Sequence, residues 1–159
     1  MAGELIVLLN ALKIGRVDMN RHGRFTFTYD ENWRRREDAL PLSISMPLAV
    51  AEHRHEVVEA YMWGLLPDNA ATLDHWGRRF QVTSRNPLAL LTHVGEDCAG
   101  AVQFVRPERV DACVAGASGS VEWLDEAGVE ERLRMLRSDH SAWRLMRDAG
   151  QFSLAGAQP

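Results

Sequence analysis

Two glycine-bearing segments of the sequence have the composition of loops that hold phosphate oxygens with backbone amides. Residues 95–101, GEDCAGA, show a GxxxxG spacing, but no Lys-Ser/Thr pair follows, and Glu96 and Asp97 would repel a triphosphate. We therefore interpret this segment as a turn between a helix and a strand. Residues 153–158, SLAGAQ, follow an expected strand, and their small side chains would let the backbone approach a ligand closely. Composition alone is weak evidence that this second segment binds phosphate.

The histidines and cysteines do not have the spacing of a known metal-binding motif or of a catalytic nucleophile and its base. His53 and His55 are one residue apart, but the sequence contains neither CxxC nor HExxH, so we interpret the pair as exposed residues before a helix. Cys98 follows His93 closely, yet neighbours in sequence rarely form a catalytic pair, and a small, partly buried thiol is expected. With Cys113 as the second cysteine, a disulfide scaffold is excluded and a reducing, cytoplasmic setting is favoured.

Composition and charge narrow the possible functions further. The chain has 159 residues, 46% of them hydrophobic and 25% charged, which is typical of a globular protein. A formal net charge of −4 argues against direct nucleic-acid binding. Lys13 is the only lysine, so no other residue could be a Schiff-base or phosphate-binding lysine. The longest apolar run, residues 5–9, falls far short of the roughly 20 residues that span a membrane, and no signal peptide is expected.

The first part of the chain has the pattern of a β meander. Residues 24–29 alternate aromatic with polar side chains, which predicts a strand with one buried face. Residues 30–38 are expected to form a short solvated helix or loop, and the alternating segment 42–46 a short or edge strand, because prolines flank it. The other predicted elements of this region are strands at 5–9 and 14–17 and turns at 10–13 and 20–23.

After Pro47 the hydrophobic spacing becomes helical. Three short helices are predicted. The first covers about 57–66, and the second runs from a cap at Asp68 or Asn69 to Phe80. The third begins at 84–87 and ends near 93, with Gly95 as its C-terminal cap. A strand at 101–105, a Pro- and Gly-rich linker at 106–120, a helix from about 125 and a strand at 151–154 complete the chain. The expected class is α+β: an N-terminal antiparallel β meander or small sheet, then a cluster of short helices, a linker and a further helix.

Several segments, taken together and in order, resemble the HipA family of bacterial toxin serine/threonine kinases. Each is unspecific alone, but the ordered set spreads over nearly the whole chain. Gly64 is a local departure, since the family commonly has Asn before Leu-Leu-Pro. The matching segments are 10–15 (NALKIG), 41–48 (PLSISMPL), 65–68 (LLPD), 86–91 (NPLALL), 95–103 (GEDCAGAVQ) and 152–158 (FSLAGAQ).

The resemblance implies a division of the chain and a nucleotide site. Residues 1–105 would be the first N-terminal subdomain, 106–120 a linker, and 121–159 the start of the kinase N-lobe, ending in its Gly-rich nucleotide loop. Ser153 matches the serine whose phosphorylation ejects that loop and inactivates the kinase. The nucleotide contacts implied by the resemblance are Ala155, Gly156, Ala157, Gln158 and Pro159.

The resemblance also implies that this chain lacks the catalytic groups. The family's ATP-binding lysine, catalytic Asp and metal ligands lie in the C-terminal lobe, so we expect no catalytic residue, no metal ligand and no kinase activity in this chain alone. ATP and Mg²⁺ would serve the complete kinase and would not bind this chain tightly.

Two functional classes therefore remain open, beside a convergent α+β domain. The chain is either the N-terminal piece of a HipA-like toxin that binds a HipB-like DNA-binding antitoxin, or a HipS-like protein that restrains a separate HipA-like kinase chain. Because a HipS-like protein would end near Val105, the first class is favoured.

Overall fold

The computed structural model describes residues 3–98, 101–116 and 123–138. It confirms the α+β class, with a five-stranded antiparallel sheet and several short helices. None of the helices in these ranges is long and apolar enough to cross a membrane. The strands are β1 (Glu4–Leu9), β2 (Leu12–Met19), β3 (Phe25–Tyr29), β4 (Glu52–Arg54) and β5 (Val102–Val105). The helices are α1 (Glu31–Arg34), α2 (His55–Trp63), α3 (Ala70–Phe80), α4 (Pro87–Val94), α5 (Val110–Val114) and α6 (Glu126–Ser138), with 3₁₀ turns at Gly95–Asp97 and Pro107–Arg109.

The sheet has the strand order β4-β3-β2-β1-β5, and every neighbouring pair is antiparallel. The predicted meander is confirmed, but its first turn is shorter than expected. Only Asn10 and Ala11 form the turn, both with left-handed backbone (φ 50° and 60°), as a two-residue hairpin requires. Lys13, expected in that turn, lies instead in β2, with its ammonium 3.9 Å from the Asp30 carboxylate.

The main core fills the space between one face of the sheet and helices α2, α3 and α4. Strand alternation explains it, because Phe25, Phe27 and Tyr29 all point to this face. The largest fully buried side chains of this core are Leu5, Ile14, Phe27, Met46, Met62, Leu66, Leu90, Leu91 and Phe104. The domain therefore encloses its own hydrophobic core between residues 5 and 104.

A smaller apolar cluster lies on the opposite face of the sheet. Alternation turns Ile6 and Leu8 away from the main core, and Val110 and Cys113 of α5 pack against them. These two residues are three positions apart and share one helix face. Residues 107–114, which composition places in a linker, are thus helical and packed on the sheet, because their few apolar side chains are correctly spaced to cover it.

In the 40–55 region one sequence prediction is wrong and one strand was not predicted. Residues 42–46 do not form a strand; Ser43 and Met46 instead close a tight turn. The flanking prolines donate no ladder hydrogen bond, and the serine hydroxyls bond locally. Conversely, the three-residue strand β4 is too short for alternation to be visible in the sequence. It forms one edge of the sheet, with Glu52 and Arg54 exposed.

Side-chain caps set the starts of α3 and α4 as predicted. Asn69 accepts hydrogen bonds from the amides of Ala71 and Thr72, and Asn86 accepts one from Ala89, with Pro87 in the first turn. The predicted helix near residue 125 is also confirmed as α6. Its Glu130 and Arg134 form an i,i+4 ion pair at 2.6 Å.

Candidate functional site

The residues assigned to nucleotide binding by resemblance lie outside the part of the chain that the structure describes. These are Ala155, Gly156, Ala157, Gln158 and Pro159, together with the phosphorylation candidate Ser153 and the strand expected at 151–154. Their roles stay predictions.

The described residues contain no cluster of three or more His, Cys, Asp and Glu side chains that could hold a metal ion. Cys98, weighed above as a nucleophile, is 6% exposed, and its thiol lies 3.5 Å from the carbonyl oxygen of Gly95. Burial, with a smaller effect from the Asp97 charge, raises the pKa of Cys98 to about 12. A thiol that stays protonated at neutral pH is a poor nucleophile, so the interpretation as a small buried thiol is confirmed.

The His53 and His55 pair is not exposed, contrary to the sequence interpretation. His53 lies on β4 with 6% of its surface exposed, stacked on Phe27 with ring centres 6.3 Å apart. His55 is the first residue of α2, and its Nδ1 accepts a 3.1 Å hydrogen bond from the backbone amide of Phe25. The imidazole thereby takes the place of the carbonyl oxygen that a neighbouring strand would offer to this amide. Both imidazoles thus contact β3 from the part of the chain that leads into α2.

In the segment that the sequence predicts as a helix-to-strand turn, the described residues 95–98 follow α4 and contain a 3₁₀ turn, and the structure shows why it begins with a glycine. A Cβ atom on Gly95 would lie 2.7 Å from Phe104 Cβ and 2.8 Å from Phe104 O. The following Glu96 receives two hydrogen bonds from the Arg109 guanidinium, at 3.0 and 2.8 Å, and its carbonyl accepts one from Gln103 at 2.8 Å. This turn therefore locks β5 and the Pro107–Arg109 turn together.

The most distinctive surface feature is residues 40–50, which we call the projecting loop. Tyr29, at the end of β3, makes two hydrogen bonds to the backbone in the middle of this loop. Its phenol donates to the carbonyl oxygen of Met46 at 2.6 Å and accepts from the amide of Leu42 at 2.7 Å. Met46 is fully buried. Burial raises the pKa of Tyr29, against a smaller opposing effect of the Leu42 amide, so the hydroxyl keeps the proton that it donates.

Helix α1 holds the two ends of the projecting loop. The indole of Trp33 donates to the carbonyl oxygen of Leu40 at 3.2 Å. The Arg34 guanidinium donates to the carbonyl oxygens of Leu48 at 2.9 Å and Ala49 at 3.3 Å. Residues 30–38, expected to be solvated, therefore include a buried indole, because Trp33 points toward the loop and the core.

The tip of the projecting loop is apolar. Met46 N bonds to Ser43 O at 2.9 Å, and the Ser43 and Ser45 hydroxyls lie 3.0 Å apart, so a closed turn presents Ile44. Ile44 is 98% exposed, and Leu40 and Val50 of the same loop are 62% and 48% exposed. An ordered tip with an exposed apolar side chain is suited to protein contact. Sequence alternation hid this feature, because it makes 42–46 resemble a strand.

Two of the open clefts on the described residues contain ionisable side chains, and one of them also contains a hydroxyl bonded to a carboxylate. One, of about 470 Å³, lies beside the end of α3, where Asp74 and Arg78 line it and Asp74 accepts a 2.6 Å bond from the Ser84 hydroxyl. The other, of about 230 Å³, is lined by Lys13 and Asp30. In both clefts a carboxylate lies beside the cation. A single hydroxyl–carboxylate pair in an open cleft does not by itself identify a catalytic site.

Comparison with known families identifies the domain. A family model described as the HipA N-terminal domain matches residues 5–105, the segment that encloses the main core. This chain belongs to the HipA family. The resemblance noted in the sequence is thereby confirmed.

Two relatives show how much of a HipA-family protein the chain represents. It is 34% identical over 148 residues to the "Putative kinase Y4mE" of Sinorhizobium fredii, covering 91% of this chain and 34% of that protein. It also matches HipA of Shewanella oneidensis MR-1, from a toxin–antitoxin complex of HipA, HipB and operator DNA. The TM-score is 0.64 at 25% identity, and the match covers 98% of this chain and 34% of that chain. The HipA-family chain therefore spans about a third of the length of either relative.

Proposed function

We propose that this chain is the N-terminal portion of a HipA-like serine/threonine protein kinase toxin of a type II toxin–antitoxin system. It contributes the domain of residues 1–105 and the Gly-rich loop that contacts ATP phosphates, and it is catalytically incomplete alone. The observation that carries this proposal is the length of the similarity. The match to Y4mE covers 148 residues, so it continues well past residue 105 into the region that contains the loop.

In this proposal the last residues of the sequence bind nucleotide. Small side chains at 155–157 let backbone amides approach the phosphates of ATP, and Gln158 and Pro159 complete the loop. Phosphorylation of Ser153 would add negative charge beside that site and expel the loop. ATP and Mg²⁺ act in the complete kinase, whose remaining residues supply the phosphate-binding cation and the metal ligands.

The proposed partner of the intact protein is a HipB-like antitoxin, and the proposed compartment is the cytoplasm. The support is the Shewanella oneidensis relative, which was captured with HipB and operator DNA. Contact with DNA would be made by the antitoxin, since this chain carries a net charge of −4.

A second candidate function is a HipS-like protein that binds and restrains a separate HipA-like kinase chain. The self-contained core between residues 5 and 104 favours it, because such a domain can fold and act as an independent partner. The longer similarity described above favours the first function.

The reading frame after the codon for Pro159 separates the two candidates. A frame that continues with Lys and a kinase lobe supports the first function; a stop codon followed by a separate kinase gene supports the second. The chemistry is then tested by transfer of labelled phosphate from ATP to protein, using residues 1–159 alone and the complete kinase encoded at the locus. We expect transfer only from the complete kinase. Transfer by residues 1–159 would refute the proposal, and loss of a separate kinase chain's activity on adding them would establish the second function.

A further inference from the structure

The projecting loop is held rigidly although it contains no regular strand. Tyr29 makes two hydrogen bonds to its backbone, Trp33 one and Arg34 two, and these contacts reach Leu40, Leu42, Met46, Leu48 and Ala49. A surface segment fixed at five backbone positions loses little conformational entropy when it binds, so it is preorganised for recognition.

The tip of this rigid loop carries an unusual side chain for a solvent-facing position. Among the large apolar side chains of the described residues, Ile44 is the most exposed, at 98%, and Leu40 and Val50 add further exposed apolar surface. The hydroxyls of Ser43 and Ser45, on either side of Ile44 in the sequence, bond to each other and orient the turn. Because a projecting aliphatic side chain gains free energy only by entering an apolar pocket, the loop has the form of an interface anchor.

The lengths of the relatives indicate which part of the protein this anchor contacts. In both Y4mE and the Shewanella oneidensis HipA, the part that matches this chain is 34% of the protein, so the domain is continuous with a body about twice its size. Domains joined in one chain typically bury about 600–1,500 Å² between them. A few well-buried side chains usually contribute most of the binding free energy of such an interface.

We infer that Ile44 is the anchor by which this domain docks into an apolar pocket on the kinase body. The inference rests on the proposed function and adds a named contact to it. It applies in either arrangement, whether the kinase body continues this chain or is a separate polypeptide.

Site-specific photo-crosslinking tests the contact in the complete kinase encoded at the locus. The photoreactive residue p-benzoylphenylalanine is placed at position 44, and in a matched control at position 114. Val114 is also an exposed apolar residue, 49% exposed, but it lies at the end of α5, over the other face of the sheet. After irradiation, the crosslinked residues are mapped by mass spectrometry. Position 40 replaces position 44 if thermal unfolding shows that the first variant is not folded.

We expect crosslinks from position 44 to residues of the kinase body, at a higher yield than from position 114. Crosslinks to a second copy of this domain, crosslinks only to the antitoxin, no crosslink, or a yield no higher than the control would each overturn the inference. Phosphate transfer by the unsubstituted complete protein is measured in parallel. An active kinase whose position 44 does not reach the kinase body refutes the docking contact and leaves the proposed function intact, whereas an inactive protein refutes the proposed function.

Discussion

The Tyr29 hydroxyl donates a 2.6 Å hydrogen bond to the carbonyl oxygen of Met46, 17 residues later in the chain. It also accepts one from the amide of Leu42, so one side chain satisfies two backbone groups that do not belong to any strand. The ring itself packs edge-on against Phe27 with centres 4.6 Å apart. Tyr29 thereby couples the sheet to the projecting loop.

The first prediction concerns this coupling. Tyr29→Phe keeps the ring packing but leaves the Met46 carbonyl and the Leu42 amide without a partner, so we expect a loss of about 2–3 kcal/mol in the free energy of unfolding. Urea denaturation measures it. Tyr61→Phe is the control, because the Tyr61 hydroxyl makes no hydrogen bond to any described residue, and its effect should be within about 0.5 kcal/mol. Equal effects of the two substitutions would contradict the assigned role.

The second prediction uses the fact that Tyr29 and Tyr61 are the only tyrosines of the chain. Burial raises the pKa of both phenols, and the pKa of Tyr61 rises to about 12. For Tyr61, the charges of Cys98 and Tyr29 make smaller contributions in the same direction. The unfolded chain loses these protons near pH 10 while the folded chain keeps them, so this contribution to stability is present below pH 10 and falls between about pH 10 and 12.

Ultraviolet absorbance of the phenolate measures this directly. The native protein at pH 10 should show little phenolate, and the same protein in denaturant should show about half-ionised tyrosine. Native absorbance that follows the denatured curve would show that the two phenols are accessible to water, against the packing described above.

The third prediction concerns the turn after α4. Gly95→Ala would place a methyl group 2.7 Å from Phe104 Cβ and 2.8 Å from its carbonyl oxygen, so we expect destabilisation of about 1–3 kcal/mol in urea denaturation. Gly64→Ala is the matched control. The added methyl there meets ordinary contacts at 3.4 Å in a helical backbone, which predicts a neutral or slightly stabilising effect. A tolerated alanine at position 95 would show that β5 can move away from the turn.

The fourth prediction concerns the two-pronged ion pair between Glu96 and Arg109. Arg109→Ala removes the contact that holds the Pro107–Arg109 turn beside β5, so α5 should open more often and expose Cys113, which is 4% exposed in the intact domain. Faster reaction of Cys113 with a thiol reagent and faster amide exchange in Val110–Val114 are expected. Arg106→Ala, which breaks only the exposed pair with Glu108, should leave both rates unchanged.

The sequence predicted those parts of the fold in which local chemistry and tertiary packing agree. Alternation in β3, a cap at Asp68 or Asn69 before α3 and a start of α4 within 84–87 are each set within a few residues, and the structure confirms them. The buried thiol of Cys98 was predicted from residue type. In these cases the short-range pattern already contains the reason for the structure.

The wrong predictions occurred where a distant residue decides the local conformation. Residues 42–46 alternate like a strand, but Tyr29 holds them as a turn. His53 is buried because three residues pair with β3, a contact that no periodicity reveals. Residues 107–114 have the composition of a linker, yet Val110 and Cys113 pack against the side of β1 that faces away from the main core. The nucleotide loop came from the family resemblance, since composition alone gave only a weak signal.

Both edge strands of the sheet are short in the part of the chain that the structure describes. One edge, β4, has three residues and exposes Glu52 and Arg54, and beside the other, β5, the turn at Gly95 lies against the carbonyl oxygen of Phe104. Short, charged or covered edges prevent backbone pairing between molecules. We therefore expect a protein that recognises this domain to bind mainly through side-chain contacts on its loops and helices.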